Sequence, residues 1–199
     1  MSVQVMKCKQ DFESISTRIP QCDVPLLWYP MRVTYHRELK IKQHLDQLEI
    51  ENFLPMRYEL VETATGSKRK LVPAIHNLIF VHSSQNTITD LKMRKSELEP
   101  LRYMTKRIEK GVREIIHVPD RQMEDFIKVA SVQDDSVFFL DPSEYINKVG
   151  RQVKITAGPF KDIEGVIKRI KKNKSVVVQI EGVAAVAIAF VPANYLMLI

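Results

Sequence analysis

One stretch decides the fold of this chain: G-R-Q-V-K-I-T-A-G-P-F-K-D-I-E-G-V-I-K-R-I, residues 150–170. Val153 and Ile155 alternate with polar neighbours, as in a strand that has one face in water. The Gly-Pro pair at 158–159 ends that strand, because proline lacks an amide donor and glycine accepts a positive φ. Gly165 opens a second alternating run. The stretch therefore predicts two antiparallel strands joined by a turn.

This arrangement resembles the KOW motif, which marks small SH3-like barrels of the NusG family and of some ribosomal proteins. The resemblance rests on two glycines, a Pro-Phe step and the flanking alternation occurring together. An ordinary hairpin of another small barrel is the alternative. Further strands are predicted at 175–180, 184–191 and 195–199, so we expect an all-β barrel over residues 149–199.

Composition excludes several classes of protein. The 199 residues are 45% hydrophobic and 27% charged, which is typical of one large or two small folded domains. The longest apolar run, 182–191, is too short to span a membrane, and the N-terminus lacks the core of a signal peptide. We therefore expect a cytoplasmic protein without membrane contact. Cys8 and Cys22 lack the spacing of a disulfide framework or a zinc site.

The net charge of +6 is concentrated at one end of the chain. Residues 150–199 contain eight Lys and Arg and three acidic residues, a net charge of +5, whereas the first 149 residues are nearly neutral. A basic barrel favours a nucleic-acid or ribosomal partner, and a solvated basic turn is the alternative. The residues that we expect to contact a partner of the barrel lie at its turn tip and basic hairpin: Phe160, Ile163, Lys168, Arg169, Lys171 and Lys172.

Four segments follow from the patterning. Residues 1–24 show no sustained period and are expected to be a mobile tail. Residues 25–131 are predicted to form an α+β domain of the ferredoxin-like type, in the order strand, helix, strand, strand, helix, strand, with an added helix. Residues 132–148 are expected to be a linker that carries one short strand, and the barrel occupies 149–199.

Three predicted elements matter most in the α+β domain. The first strand covers 26–33, and Pro30 within it favours a sheet edge or a bulge. A helix begins near residue 36 with a buried stripe formed by Ile41, Leu45 and Leu48. The apolar run at 75–81 is typical of a central strand.

Four stretches carry a resemblance to a known family: W-Y-P-M-R-V-T-Y at 28–35, N-F-L-P-M-R-Y-E-L-V-E at 52–62, P-A-I-H-N-L-I-F-V at 73–81 and V-P-D-R-Q-M-E-D-F at 118–126. Together with the KOW motif, they resemble the NusG family of transcription elongation factors. The similarity is greatest to its specialised paralogues of the RfaH and UpxY type, and it covers about 26–199.

The resemblance implies a ferredoxin-like NusG N-terminal (NGN) domain followed by a KOW barrel. It also implies a non-enzymatic antitermination factor, in UpxY regulators one that serves capsular polysaccharide operons. The NGN domain of the family docks on the β′ clamp helices of RNA polymerase through an apolar patch, and some paralogues read the exposed non-template DNA strand. The KOW domain contacts ribosomal protein S10 or the termination factor Rho. We expect a monomer that needs no cofactor.

Carried over by position, the polymerase-binding patch includes Ile75, Leu78 and Phe80. The chain has His76-Asn77-Leu78 where the family usually has Pro-Gly-Tyr or Pro-Asn-Tyr, so an apolar side chain is kept but the tyrosine hydroxyl and its hydrogen bond are lost. Strand alternation places Leu78 and Phe80 on one face and the residues between them on the other. The alternative is that these side chains form core only.

A basic flank of the first helix is the second candidate site. Arg37, Lys40 and His44 recur at i, i+3 and i+7, so they share one side of the helix. Cations there can hold phosphates, and an imidazole can stack on an unpaired base. The resemblance also places His44 where RfaH has a His that faces the non-template strand. A solvated helix face is the alternative.

No catalytic pattern is present in the sequence. It contains no His/Cys/Asp cluster at metal-ligand spacing, no phosphate-binding glycine loop and no G-x-S-x-G. We therefore expect neither an enzyme nor a metal site. The competing hypothesis is a KOW-type RNA- or ribosome-binding protein without polymerase contact, against which the nearly neutral first domain argues. The run Val176-Val177-Val178, with Gly182 and Pro192 after it, favours a permanent barrel over a helical alternative form.

Overall fold

The structure is a computed structural model that describes residues 25–63, 66–108, 111–145, 149–170 and 173–199. The predicted tail at 1–24 lies outside these residues. The described part forms an α+β unit followed by a small all-β unit, which confirms the predicted fold class. Within the described residues, no helix is long and apolar enough to cross a lipid bilayer.

The α+β unit is built on a four-stranded antiparallel sheet. Its elements in chain order are β1 (Leu27–Val33), α1 (Glu38–Gln47), β2 (Asn52–Phe53), β3 (Met56–Thr63), β4 (Gly66–Pro73), β5 (Leu78–Ser83), α2 (Gln85–Arg94), β6 (Leu101–Tyr103), β7 (Thr105–Arg107), β8 (Arg113–Ile115) and α3 (Asp120–Ala130). The strand order in the sheet is β2-β5-β1-β6. Strands β3 and β4 form a separate two-stranded hairpin, as do β7 and β8.

The expectation that Pro30 marks a sheet edge is wrong, because β1 lies between β5 and β6. Pro30 pairs with Phe80 on one side, and on the other its carbonyl accepts a hydrogen bond from the amide of Met104 at 3.3 Å. In an antiparallel strand the N and O of one residue point to the same side. The missing donor of Pro30 therefore falls at the break between β6 and β7, where the ladder is already interrupted.

The two faces of the sheet carry different helices. Ile79 and Val81 pack on one face with the α1 side chains Ile41 and Leu45, while α2 covers the same face. Leu78 and Phe80 project from the other face, as the alternation predicts. The predicted burial of Leu48 is wrong: this residue is 36% exposed because α1 ends at Gln47 and Leu48 caps it.

The all-β unit is a six-stranded antiparallel sheet. Its elements are β9 (Val137–Phe139), the short helix α4 (Pro142–Tyr145), β10 (Arg151–Ile155), β11 (Glu164–Ile170), β12 (Asn173–Ile180), β13 (Ala184–Ala189) and β14 (Leu196–Leu198), in the sheet order β14-β10-β11-β12-β13-β9. The run Val176–Val178 lies in β12, so this region is strand, as its β-branched residues predict. Strand β9, from the predicted linker, pairs with β13 and so extends the barrel sheet.

Helix α3 joins the two units. Its inner face buries Met123 and Phe126, which lie in one apolar cluster with Phe80 and with the barrel residue Val153. Beside this apolar face, the side-chain amide of Gln122 donates to a β12 carbonyl at 2.9 Å, and the Lys128 ammonium donates to a carbonyl of the β10–β11 turn at 2.8 Å. The barrel therefore packs against α3 through both apolar and polar contacts.

Candidate functional site

An apolar hollow lies at the end of the α+β sheet where the barrel approaches it. Its apolar lining includes Ile75 and Leu78 from the start of β5, Met104 from the β6–β7 break, and Val183 from the β12–β13 turn of the barrel. Val33 and six polar residues complete the lining: Arg32, Thr34, Tyr35, His36, His76 and Asn77. We refer to this surface as the hollow. A concave apolar surface with a polar rim suits an apolar side chain of a partner.

The structure places the three predicted polymerase-binding residues differently. Ile75 is half-buried in the hollow, and Leu78 lines it with only 3% of its surface exposed. Phe80 is fully buried and packs on Phe126, with 5.6 Å between the ring centroids. Ile75 and Leu78 are thus brought together at one surface, whereas Phe80 belongs to the core beneath it. The binding role of all three stays a prediction.

The backbone conformation explains why asparagine suits position 77 in the His76-Asn77-Leu78 step. Asn77 has a φ of 60°, in the left-handed region that glycine and asparagine tolerate best. Its carbonyl accepts from the Val33 amide at 3.1 Å, and its own amide donates to the Glu38 carboxylate at 2.6 Å. These two bonds fix the loop before β5 against the β1–α1 turn, so the loop stays ordered with histidine in place of proline.

The basic flank of α1 is exposed at its N-terminal end. Arg37 and Lys40 are exposed and His44 is half-buried. The Arg37 guanidinium carbon lies 5.5 Å from the ring centroid of Tyr35, which is 77% exposed. Sequence reasoning missed Tyr35, although an aromatic residue two positions from an arginine is a signal for base stacking.

The C-terminal end of the flank is less cationic. His44 lines a shallow pocket with Lys95 and Glu97. The pKa of the Glu97 carboxyl lies below its usual value, chiefly because of a hydrogen bond with its own backbone and to a smaller extent because of the nearby His44. An acidic group therefore stands beside His44. The stronger phosphate-binding potential lies at the Arg37 end.

The structure contradicts half of the predicted contact surface of the barrel. Ile163 is fully buried and Phe160 is 9% exposed, because both side chains point into the cluster that continues under α3 rather than out of the turn. Lys168 is 6% exposed, and its ammonium donates to the Tyr145 carbonyl and to the side-chain oxygen of Gln179, both at 2.9 Å. These three residues are structural, and their predicted exposure is wrong.

Of the remaining predicted barrel residues, Arg169 is exposed. Lys171 and Lys172 lie outside the described residues. The partner-binding role of all three stays a prediction.

The fold also joins three residues that the sequence did not connect. His36 and Glu38 flank the start of α1, His76 precedes β5, and one ligand atom from each lies within 4.8 Å of the other two. The sequence alone predicted no metal site. The signal was the His-x-Glu step at 36–38, but its third member is distant in the chain.

Comparison with known proteins agrees with the two-unit architecture. Residues 26–127, just over half of the chain, match the family model described as transcription termination factor nusG, and residues 149–181 match the KOW motif. No curated protein matches the chain. Among solved structures, the chain is similar to one described as "Domain interaction in Thermotoga maritima NusG". The identity is 20%, covering 86% of this chain and 96% of that chain, with a TM-score of 0.42.

Proposed function

Because the chain belongs to the NusG family, we propose that it binds RNA polymerase as an elongation factor and suppresses pausing or termination. Members of this family are transcription factors and not enzymes, and we propose the same for this chain. Its place of action would be the cytoplasm, where the polymerase works. The single observation that carries the proposal is the hollow, an apolar surface on the side of the sheet that α1 and α2 leave uncovered.

The β′ clamp helices are the proposed occupant of the hollow. A helical hairpin presents apolar side chains at intervals of one turn, and such anchors dock into apolar grooves. Ile75 is a half-buried apolar side chain in the lining of the hollow, and Leu78 lines it with little of its surface exposed. Val183 of the barrel lines the same hollow, so a partner helix has to displace or accommodate the β12–β13 turn.

A pull-down with isolated β′ clamp helices tests this proposal. Ile75→Lys places a charge in the hollow and should reduce binding at least about tenfold, since an unpaired charge at an apolar contact costs more than 1.4 kcal/mol. Val112→Lys is the matched control, because Val112 is 57% exposed on the β7–β8 loop, away from the hollow. Equal binding by both variants, or no binding by the parent chain, would contradict the proposal.

The basic flank is the proposed contact with the non-template DNA strand. Arg37 and Lys40 would hold phosphates, and His44 or Tyr35 would stack on an unpaired base. We expect Arg37→Ala, Lys40→Ala and His44→Ala together to weaken recruitment to a paused elongation complex in a band-shift assay, without unfolding the domain.

A control for the flank variant removes the same number of permanent charges elsewhere. Arg107 and Arg113 are exposed and paired with one another across the β7–β8 hairpin, remote in sequence from α1. Arg107→Ala with Arg113→Ala should leave recruitment nearly unchanged. If the two multiple variants lose recruitment equally, general charge attraction is responsible and the flank is not a specific contact.

We also propose that the chain is a specialised paralogue of the UpxY type that serves capsular polysaccharide operons. The four stretches quoted above support this narrower assignment. Transcription through a terminator downstream of a capsular operon leader, with and without the protein, tests it. Read-through that is the same on capsular and unrelated leaders would instead indicate a general elongation factor.

The second candidate function is an RNA- or ribosome-binding protein without polymerase contact. The exposed Arg169 and the basic balance of the barrel favour it. The same pull-down distinguishes the two functions, because this alternative predicts no retention on clamp helices and salt-sensitive binding to ribosomal RNA.

A further inference from the structure

His36, Glu38 and His76 form a side-chain cluster that the proposed function does not use. From the geometry of this cluster we propose a binding site for a divalent transition-metal ion, with Zn²⁺ as the best-fitting ion. One ligand atom from each residue lies within 4.8 Å of the other two. The site lies at the rim of the hollow, but its test does not require polymerase binding.

The donor set matches what Zn²⁺ takes in proteins. Two imidazole nitrogens and one carboxylate oxygen supply three ligands, and water can complete a tetrahedral site. With bonds of about 2.0–2.2 Å, neighbouring ligand atoms in such a site lie about 3.4 Å apart. Both histidine residues are exposed, so small side-chain rotations can bring the ligand atoms to this separation. The rings already meet edge to face, with centroids 5.9 Å apart.

The buried carboxylate of Glu38 also supports a cation at this site. Glu38 is only 3% exposed, and among the described residues no Lys, Arg or His nitrogen lies within 4.0 Å of its oxygens. A buried carboxylate without a cation is costly, and a bound dication removes that cost. One Glu38 oxygen accepts the Asn77 amide at 2.6 Å, which leaves the other oxygen for a metal.

The backbone around the cluster holds its members in place. His36 and Asn77 have φ values of 50° and 60°, a conformation that non-glycine residues adopt rarely. The amide of Asn77 bonded to Glu38 is the kind of outer contact that orients a metal-binding carboxylate. The residues that border the site also line the hollow, so a bound ion would fasten the β1–α1 turn to the loop before β5 at the rim.

Calorimetric titration of the metal-stripped full chain with ZnCl₂ tests the site. Because Cys8 and Cys22 could bind zinc themselves, every protein in the series carries Cys8→Ser and Cys22→Ser. We expect one equivalent of Zn²⁺ to bind, and expect His36→Ala and His76→Ala each to weaken binding at least about tenfold. His117→Ala, which replaces an exposed histidine outside the cluster, should bind as the parent does.

A second measurement guards against loss of folding. His36 and His76 are exposed, so their alanine variants should keep the circular dichroism spectrum of the parent. Addition of Zn²⁺ should raise the melting temperature of the parent and of His117→Ala, but not of His36→Ala or His76→Ala. Binding that survives both cluster substitutions, or a parent chain that binds no stoichiometric Zn²⁺, overturns the proposal.

Discussion

Substitution of Gly165 by alanine should destabilise the barrel. A Cβ atom at this position would lie 2.7 Å from Cγ1 of Val176 and 2.9 Å from the carbonyl oxygen of Val177. Contacts this short force β11 and β12 apart. Strand β11 cannot simply shift away, because it also pairs with β10, where Val153 lies opposite Gly165. The glycine is therefore needed for close strand approach and not for an unusual φ.

Three free-energy contributions decide the magnitude. Overpacking of a tight site costs about 1–3 kcal/mol. Weakening one ladder hydrogen bond adds about 1 kcal/mol. Alanine lowers the conformational entropy of the unfolded chain, which offsets about 0.4–1 kcal/mol of the lost stability. The net loss is about 2 kcal/mol, which corresponds to a melting temperature lower by about 4–8 °C for a protein of this size.

Thermal unfolding followed by circular dichroism measures this loss, and a double-mutant cycle assigns its cause. Val176→Ala removes one of the two clashing atoms, so its combination with Gly165→Ala should cost less than the sum of the single changes by about 0.5–3 kcal/mol. Ile41→Val, in the other unit, is the distant control and should be additive. A Gly165→Ala chain that melts at or above the parent temperature would refute the reasoning.

Three further predictions concern the barrel and its contact with α3. Val183→Ala should remove an apolar barrel side chain from the hollow and strengthen binding of clamp helices in calorimetry; unchanged affinity would show that this side chain does not restrict access. Burial raises the pKa of the Asp125 carboxyl, so its stabilising contribution exists below the unfolded pKa of about 4 and is lost as the pH rises through the folded value. Asp125→Asn should therefore melt progressively higher relative to the parent as the pH rises from 4 to 7, and a constant difference would contradict this. Lys168→Met leaves two acceptors without their donor and should cost about 1–3 kcal/mol in urea unfolding, whereas Lys174→Met, at an exposed lysine of β12, should cost much less; equal losses would speak against a structural role of the buried lysine.

The parts of the fold that local patterns determine could be predicted from the sequence. The opposite faces of Leu78 and Ile79 follow from strand alternation alone. The strand character of β12 follows from its β-branched residues. The central position of Pro30 could not be predicted, because the order of strands in a sheet depends on pairings between distant segments.

The candidate sites show the same division. The flank of Arg37 and Lys40 is exposed, as helical spacing predicts. The burial of Ile163 could not be predicted, because it depends on how α3 packs against the barrel. The meeting of His76 with Glu38 depends on an equally distant contact, the hydrogen bond from the Asn77 amide that brings two loops together.

The β3–β4 hairpin extends the surface that the α+β unit can present to a partner. Its register runs through eight pairs from Met56 opposite Pro73 to Thr63 opposite Gly66, a projecting arm about 25 Å long. Bonds at its root run from the Ala74 amide to the Pro55 carbonyl at 2.8 Å and from the Gln133 side chain to the Met56 carbonyl at 3.1 Å. A tilt of about 10° at that root sweeps the tip through about 4 Å. The tip of the hairpin can therefore contact a surface that the rest of the α+β unit does not touch.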